Sequence, residues 1–143
     1  VGVMYDYFAA PSDEVAASMV DGGPVAAGHR AVETKWLDPA VVMGKLEELL
    51  TGRPYDEVID DPRCAADLAV EGDGEVLVLT VTDGLRDGLA GAGELTEVAA
   101  AWAGIEELDR FDPAELAVVL RELKELAVDA VKAGERLYCW VCV

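Results

Sequence analysis

Apolar positions follow two rhythms along this chain. Val76-Leu-Val-Leu-Thr-Val81 is apolar at both odd and even positions, the pattern of a strand covered on both faces, and it predicts an interior strand over residues 75–82. Shorter runs of β-forming residues, Gly2-Val-Met-Tyr-Asp-Tyr-Phe8 and residues 136–143, predict one strand at each extremity. Helical spacing governs much of the rest. Val42, Met43, Leu46, Leu49 and Leu50 recur on one face after Asp38-Pro39, which can cap and start a helix, and Thr51-Gly52 closes it. Leu116, Val119, Leu120, Leu123, Ala127, Ala130 and Val131 make the stripe of the longest helix, opened by Asp112-Pro-Ala-Glu115 and ended by Gly134. Two shorter helices are predicted. One opens at Pro11-Ser-Asp-Glu14, with Ser12 as its cap, runs to about residue 20 and stops at Asp21-Gly-Gly-Pro24; the other spans 95–103 with Trp102 on its buried face.

The intervening stretches carry less pattern. Residues 25–37 read as a loop containing a short strand near 32–36, residues 53–63 as a connection with one helical turn around 55–59, and 64–70 as either helix or strand. Glu71-Gly-Asp-Gly74 makes a turn. Residues 83–93 hold four glycines in eleven positions, which predicts a mobile loop. Strands at both ends and in the middle, separated by helices, predict an α+β fold: a small mixed or antiparallel sheet including both terminal strands, packed with about four to five helices in one domain over residues 1–143.

Length supports this, because 143 residues suffice to bury a full core without staples. The longest strongly apolar stretch is far short of the roughly 20 residues that cross a bilayer, so no membrane partner is expected. The first residues carry no cationic run before an apolar segment, so no retained signal peptide is expected, and three cysteines fit a reducing, cytoplasmic compartment better than a disulfide scaffold. A formal charge of -18, from 29 acidic and 11 basic residues, repels phosphate backbones and argues against nucleic acid. The same charge either draws a basic protein or simply keeps an Ala- and Val-rich chain in solution. The chain has neither Asn nor Gln, so any site must use carboxylates, Tyr, Arg, Lys, the single His29 or main-chain N–H groups.

Cys139-Trp-Val-Cys142 is the one stretch with the spacing of a redox or metal pair. In a strand its thiols point to opposite faces, and only Val143 follows where a redox site would need a helix. Zinc would need Cys64 and His29 as the remaining ligands, a set weighed against the plainer reading of the cysteines as small buried side chains; no metal and no cofactor is expected. The ligand-contacting candidates are Tyr5, Asp6, Tyr7, His29, Trp36, Tyr138 and Trp140. Asp6 shares a strand face with Met4 and Phe8, where a carboxylate must find a partner or shift its pKa. Tyr138 and Trp140 share a face of the last strand, and pairing of the terminal strands would bring them beside the first.

Lys35-Trp36 ahead of Leu50-Thr51-Gly52, Phe111-Asp-Pro-Ala-Glu-Leu116 opening a long helix, and a terminal strand after Ala133-Gly-Glu135 together resemble the YfbM-like family of bacterial proteins, a domain of unknown function. The aromatic–histidine element of that family is missing here. The resemblance implies a small cytosolic α+β protein and no particular activity. No set of residues supplies nucleophile, base and stabiliser together, which favours a non-enzymatic binding protein for a basic protein or a small molecule. In one version it is an inhibitor or immunity-like protein using the acidic stretches 56–61 and 106–112. The competing expectation is a small hydrolase or ligand-processing enzyme built on Asp6, His29 and the strand aromatics.

Overall fold

The computed structural model describes residues 2–143. Five strands, β1 (Met4–Ala10), β2 (Val32–Lys35), β3 (Asp67–Glu71), β4 (Val76–Thr80) and β5 (Arg136–Cys142), form one antiparallel sheet in the order β2-β1-β5-β4-β3. The first and last strands lie side by side, from Met4 opposite Cys142 to Ala10 opposite Arg136. The fold is α+β, with the helices α1 (Asp13–Ala17), α2 (Gly23–Ala26), α3 (Val41–Thr51), α4 (Tyr55–Ile59), α5 (Asp83–Ala90), α6 (Thr96–Ala103) and α7 (Pro113–Ala133). Among the described residues no helix is long and apolar enough to cross a membrane.

Strand alternation divides the interior into two cores. Tyr7, Leu137, Cys139 and Val141 face a large cluster with Met43 and Leu46 of α3, Leu89 of α5, Trp102 of α6 and Leu120 of α7. Phe8, Ala10, Val78 and Tyr138 point the other way, into a smaller cluster with Ala16, Met19 and Val20. β4 feeds both, Leu77 and Leu79 into the first and Val76 and Val78 into the second, which is why its sequence is apolar at every parity. Cys139 and Cys142 fall on opposite faces and are free thiols, as alternation requires.

Several expectations need correction. Leu49, grouped with the apolar face of α3, is 38% exposed, and Gly23–Ala26, expected to end a helix and enter a loop, forms α2. The stretch 83–93 is not a mobile loop, because it forms α5. Thr82 caps that helix by accepting the Leu85 N–H at 3.2 Å and donates its own hydroxyl proton to Glu47. Gly84 and Gly88 lie one turn apart on the side facing α3: a methyl at position 88 would sit 2.8 Å from Thr51 Cγ2, and one at 84 would overlap Glu47 Oε2. These glycines admit a neighbouring helix rather than loosen the chain. The first helix stops at Ala17, short of residue 20, and Met19 and Val20 turn into the smaller core instead. In α7, Val131 is 47% exposed while Leu126 is buried. Ala130 holds the inward direction in the last turn, and the next residue is rotated about 100° away from it.

The α3–α5 contact predicts a sign. Gly84→Ala and Gly88→Ala should each lower stability by about 1–3 kcal/mol in urea denaturation. Gly93→Ala, which meets open space, should stay within about 0.5 kcal/mol. A mobile loop would give the opposite result at 84 and 88, a small gain from a less flexible unfolded chain.

Candidate functional site

The expected ligand-contacting residues divide between the two faces of the sheet. Tyr5 and Tyr7 lie on the helix-covered face, where Tyr7 is fully buried and donates its hydroxyl to the Leu37 carbonyl at 2.5 Å. Burial pushes the Tyr7 phenol and the Cys139 thiol beside it well above their ordinary pKa values, so neither ionises near neutrality. Asp6, Tyr138 and Trp140 share the opposite face, with Trp140 directly across from Asp6 and Tyr138 across from Phe8. Trp36 follows β2, is 54% exposed and has a left-handed backbone (φ 65°), its ring lying against Gly2. His29 follows α2, lines neither cavity described below and makes no side-chain hydrogen bond among the described residues. The structure thus joins Asp6 with the two aromatics of β5 and places the tyrosines of β1 on the other face of the sheet.

Asp6 is 4% exposed, and its Oδ1 has no hydrogen-bond partner among the described residues. Glu33 stands opposite it on β2 and Trp140 on β5. Burial, reinforced by the Glu33 charge, pushes the Asp6 carboxyl up to about 6. Trp140 is fixed by its own contacts. Its indole N–H donates to the Val20 carbonyl at 3.0 Å, and Gly23 packs so closely on the ring that a methyl there would lie 3.0 Å from it.

A polar cleft of about 380 Å³ opens where β1 ends and β5 begins, lined in part by Asp13, Arg86, Arg136 and Tyr138. Asp13, at the first turn of α1, is its hub. It accepts the Tyr138 hydroxyl at 2.6 Å and two Arg63 N–H groups at 3.2 Å, while the Arg63 guanidinium lies 5.7 Å from the Tyr138 ring centre. The Arg63 and Tyr138 hydrogen bonds hold the Asp13 carboxyl below the ordinary carboxylate range, and burial with the Asp13 contact pushes the Tyr138 phenol up to about 12. Arg136 reaches Asp83 at 3.2 Å, and Arg86 donates to the Glu135 carbonyl at 3.1 Å and pairs with Asp87 at 2.9 Å. Asp83 Oδ1 and Arg63 Nε are buried without a hydrogen-bond partner among the described residues. These contacts hold Asp13, Arg63 and Tyr138 in a fixed arrangement at the cleft. With Asp13 ionised and Tyr138 protonated across the neutral range, none of the cleft's shifted groups is tuned to move a proton there.

A second polar feature surrounds Lys45 on α3. Its Nζ donates to both Glu107 oxygens, at 2.7 and 2.9 Å, and lies 6.0 Å from the Tyr55 ring, while the Tyr55 N–H donates to Glu48 at 2.9 Å. The acidic stretches 56–61 and 106–112 therefore meet on one flank. Exposed Glu48, Asp56, Glu57, Asp60, Glu106 and Asp109 make no ion pair among the described residues, and Leu49 and Ile59 are exposed beside them.

Sequence reasoning overlooked Asp13, Arg63, Arg86 and Arg136. Asp13 read as part of a helix start and Arg63 as part of a connection. No spacing links residues 13, 63, 86 and 138, because they arrive at the cleft from four separate elements and connections. The described residues contain no group of three or more His, Cys, Asp or Glu placed to hold a metal ion.

Removing the hub should be costly. Asp13→Ala leaves Arg63 and Tyr138 without their acceptor and, with the Asp13 carboxyl partly screened by solvent, should lower stability by about 1–2 kcal/mol, against about 1 kcal/mol for Tyr138→Phe, both read from denaturant midpoints. The Asp6 carboxyl binds its proton more tightly in the folded than in the unfolded chain, so its contribution disfavours folding above about pH 6, and this penalty is relieved as pH falls from 6 towards 4. Asp6→Asn should therefore exceed the parent in stability by about 1–2 kcal/mol at pH 8, with the gap closing near pH 4 in a pH series of thermal melts.

No family model, curated protein or solved structure matches this chain.

Proposed function

We propose that the protein is a non-enzymatic binding protein that recognises a basic protein partner through the flank around Lys45, α4 and residues 106–109, in the manner of an inhibitor or immunity protein. The observation that carries this reading is how the chain uses its cations. Arg30, Lys45, Arg53, Arg63, Arg86 and Arg136 are all engaged with carboxylates of the chain itself. With 29 acidic residues against 11 basic, that internal pairing leaves carboxylates to dominate the surface.

The flank offers more than charge. Leu49 and Ile59, 38% and 41% exposed, stand beside Glu48 and Asp60, giving apolar contacts within an acidic surround. Such a surface speeds encounter with a positively charged partner and supplies area to hold it once docked. The enzymatic alternative receives less support, since Tyr5 and Tyr7 sit across the sheet from Asp6 and Trp140, and Asp6 is buried.

The test compares two sets of charge removals against a basic probe protein of high isoelectric point. Asp56→Asn/Glu57→Gln/Asp60→Asn should slow association at low salt by about tenfold, and the parent's rate should fall steeply as salt rises. Removing as many carboxylates from the β3–β4 turn, with Glu71→Gln/Asp73→Asn/Glu75→Gln, should change the rate by less than about threefold. Equal losses from the two sets would mean a diffuse field, and the reading fails.

A further inference from the structure

A groove of about 910 Å³ lies away from the cleft of Asp13, between α6 and α7. Its walls are apolar and short. Leu95, Ala99, Ala114, Ala117 and Val128 contribute few side-chain atoms, so space remains between two helices that bulkier residues would have filled. A volume in the range of about 300–1,000 Å³, apolar walls and a few polar groups at the rim are the general properties of a site for a small organic ligand.

The rim identifies the ligand's head. Arg30, Arg121 and Lys124 gather here in a chain with only 11 cations. Arg30 is committed to Asp129 at 2.9 Å and Glu125 at 3.5 Å, and Lys124 donates to the carbonyls of Ala92 and Gly93, fixing the loop that leads into α6. The remaining rim carboxylate, Glu94, accepts the Thr96 N–H at 2.9 Å and the Thr96 hydroxyl at 2.5 Å. Arg121 alone among the rim charges has neither ion pair nor hydrogen bond among the described residues. A guanidinium presents paired N–H donors that match a carboxylate, and here it stands beside an apolar wall.

We infer that this groove binds a single-headed amphipathic anion, a medium- or long-chain carboxylate, with its hydrocarbon against the alanine and leucine walls and its head on Arg121. Neither the acidic flank nor the Asp13 cleft takes part. The uncommitted guanidinium makes the carboxylate the selected head group, while burial of the chain supplies most of the affinity.

Isothermal titration calorimetry with dodecanoate, kept below its micelle-forming concentration, tests the inference, and amide chemical shifts locate the site. Saturable 1:1 binding is expected, with shifts confined to residues 93–100 and 113–129. Arg121→Gln should weaken it about tenfold or more. Dodecanol and dodecyltrimethylammonium, which keep the chain and change the head, should bind correspondingly less well. Ala117→Trp should block the groove. Ala100→Trp fills it from the opposite wall at an exposed position, so a folding defect in the first variant, visible by circular dichroism, does not decide the matter. No saturable binding by the parent overturns the inference. So does equal binding of carboxylate and alcohol, or unchanged binding by a folded groove-filling variant.

Discussion

The pairing of β1 with β5 is the contact on which everything else is assembled. The two strands come from opposite ends of the sequence and lie at the middle of the sheet, so β2 can add only to β1, and β4 with β3 only to β5. Closing so long a loop adds slowly to the entropy cost of folding, but it delays the reward until distant segments meet. Alternation along this one pair then fixes both cores: Tyr7 with Cys139 on the helix-covered face, Phe8 with Tyr138 on the other. It also places Asp6 against Trp140, and opens the cleft where Ala10 meets Arg136.

Charge is organised by a similar economy. A chain this acidic commits most of its arginines to its own carboxylates, and the most enclosed instance ties three elements together: Glu47, 1% exposed, accepts from Thr82 and from Arg53, which reaches on to Asp61. The Thr82 hydroxyl serves twice, capping α5 and satisfying a carboxylate that could not otherwise remain buried. Gly84 is necessary to the same arrangement, since any side chain there would displace Glu47. Arg110 and Arg121 are exceptions to this commitment, and Arg121 stands at the groove between α6 and α7.

Much of the scaffold could be read from the chain because its signals are local. Asp38 ahead of α3, Asp112 ahead of α7 and the left-handed glycines at 52 and 134 act within a few residues of themselves, and each forms as its neighbours dictate. The apolar parity of residues 76–81 likewise encodes a strand enclosed on both sides. Where the reading went astray, the deciding contact was distant. Four glycines in residues 83–93 look the same whether they loosen a loop or admit a helix, and only Thr51 and Glu47, more than thirty residues earlier, distinguish the two. The cleft was illegible for the same reason, since nothing near Asp13 announces Arg63 or Tyr138.

The amino-acid sequence alone settled which segments are helix or strand at the well-capped positions, the separation of Cys139 from Cys142, and the sign of the charge. These follow from backbone geometry and composition, which are properties of short stretches. Strand order, the partners of each arginine, the burial of Asp6 beside Glu33 and the groove before Arg121 arose only when the chain closed on itself. Each depends on which side chains meet across long sequence separations, and burial free energy rewards that meeting without any local pattern announcing it.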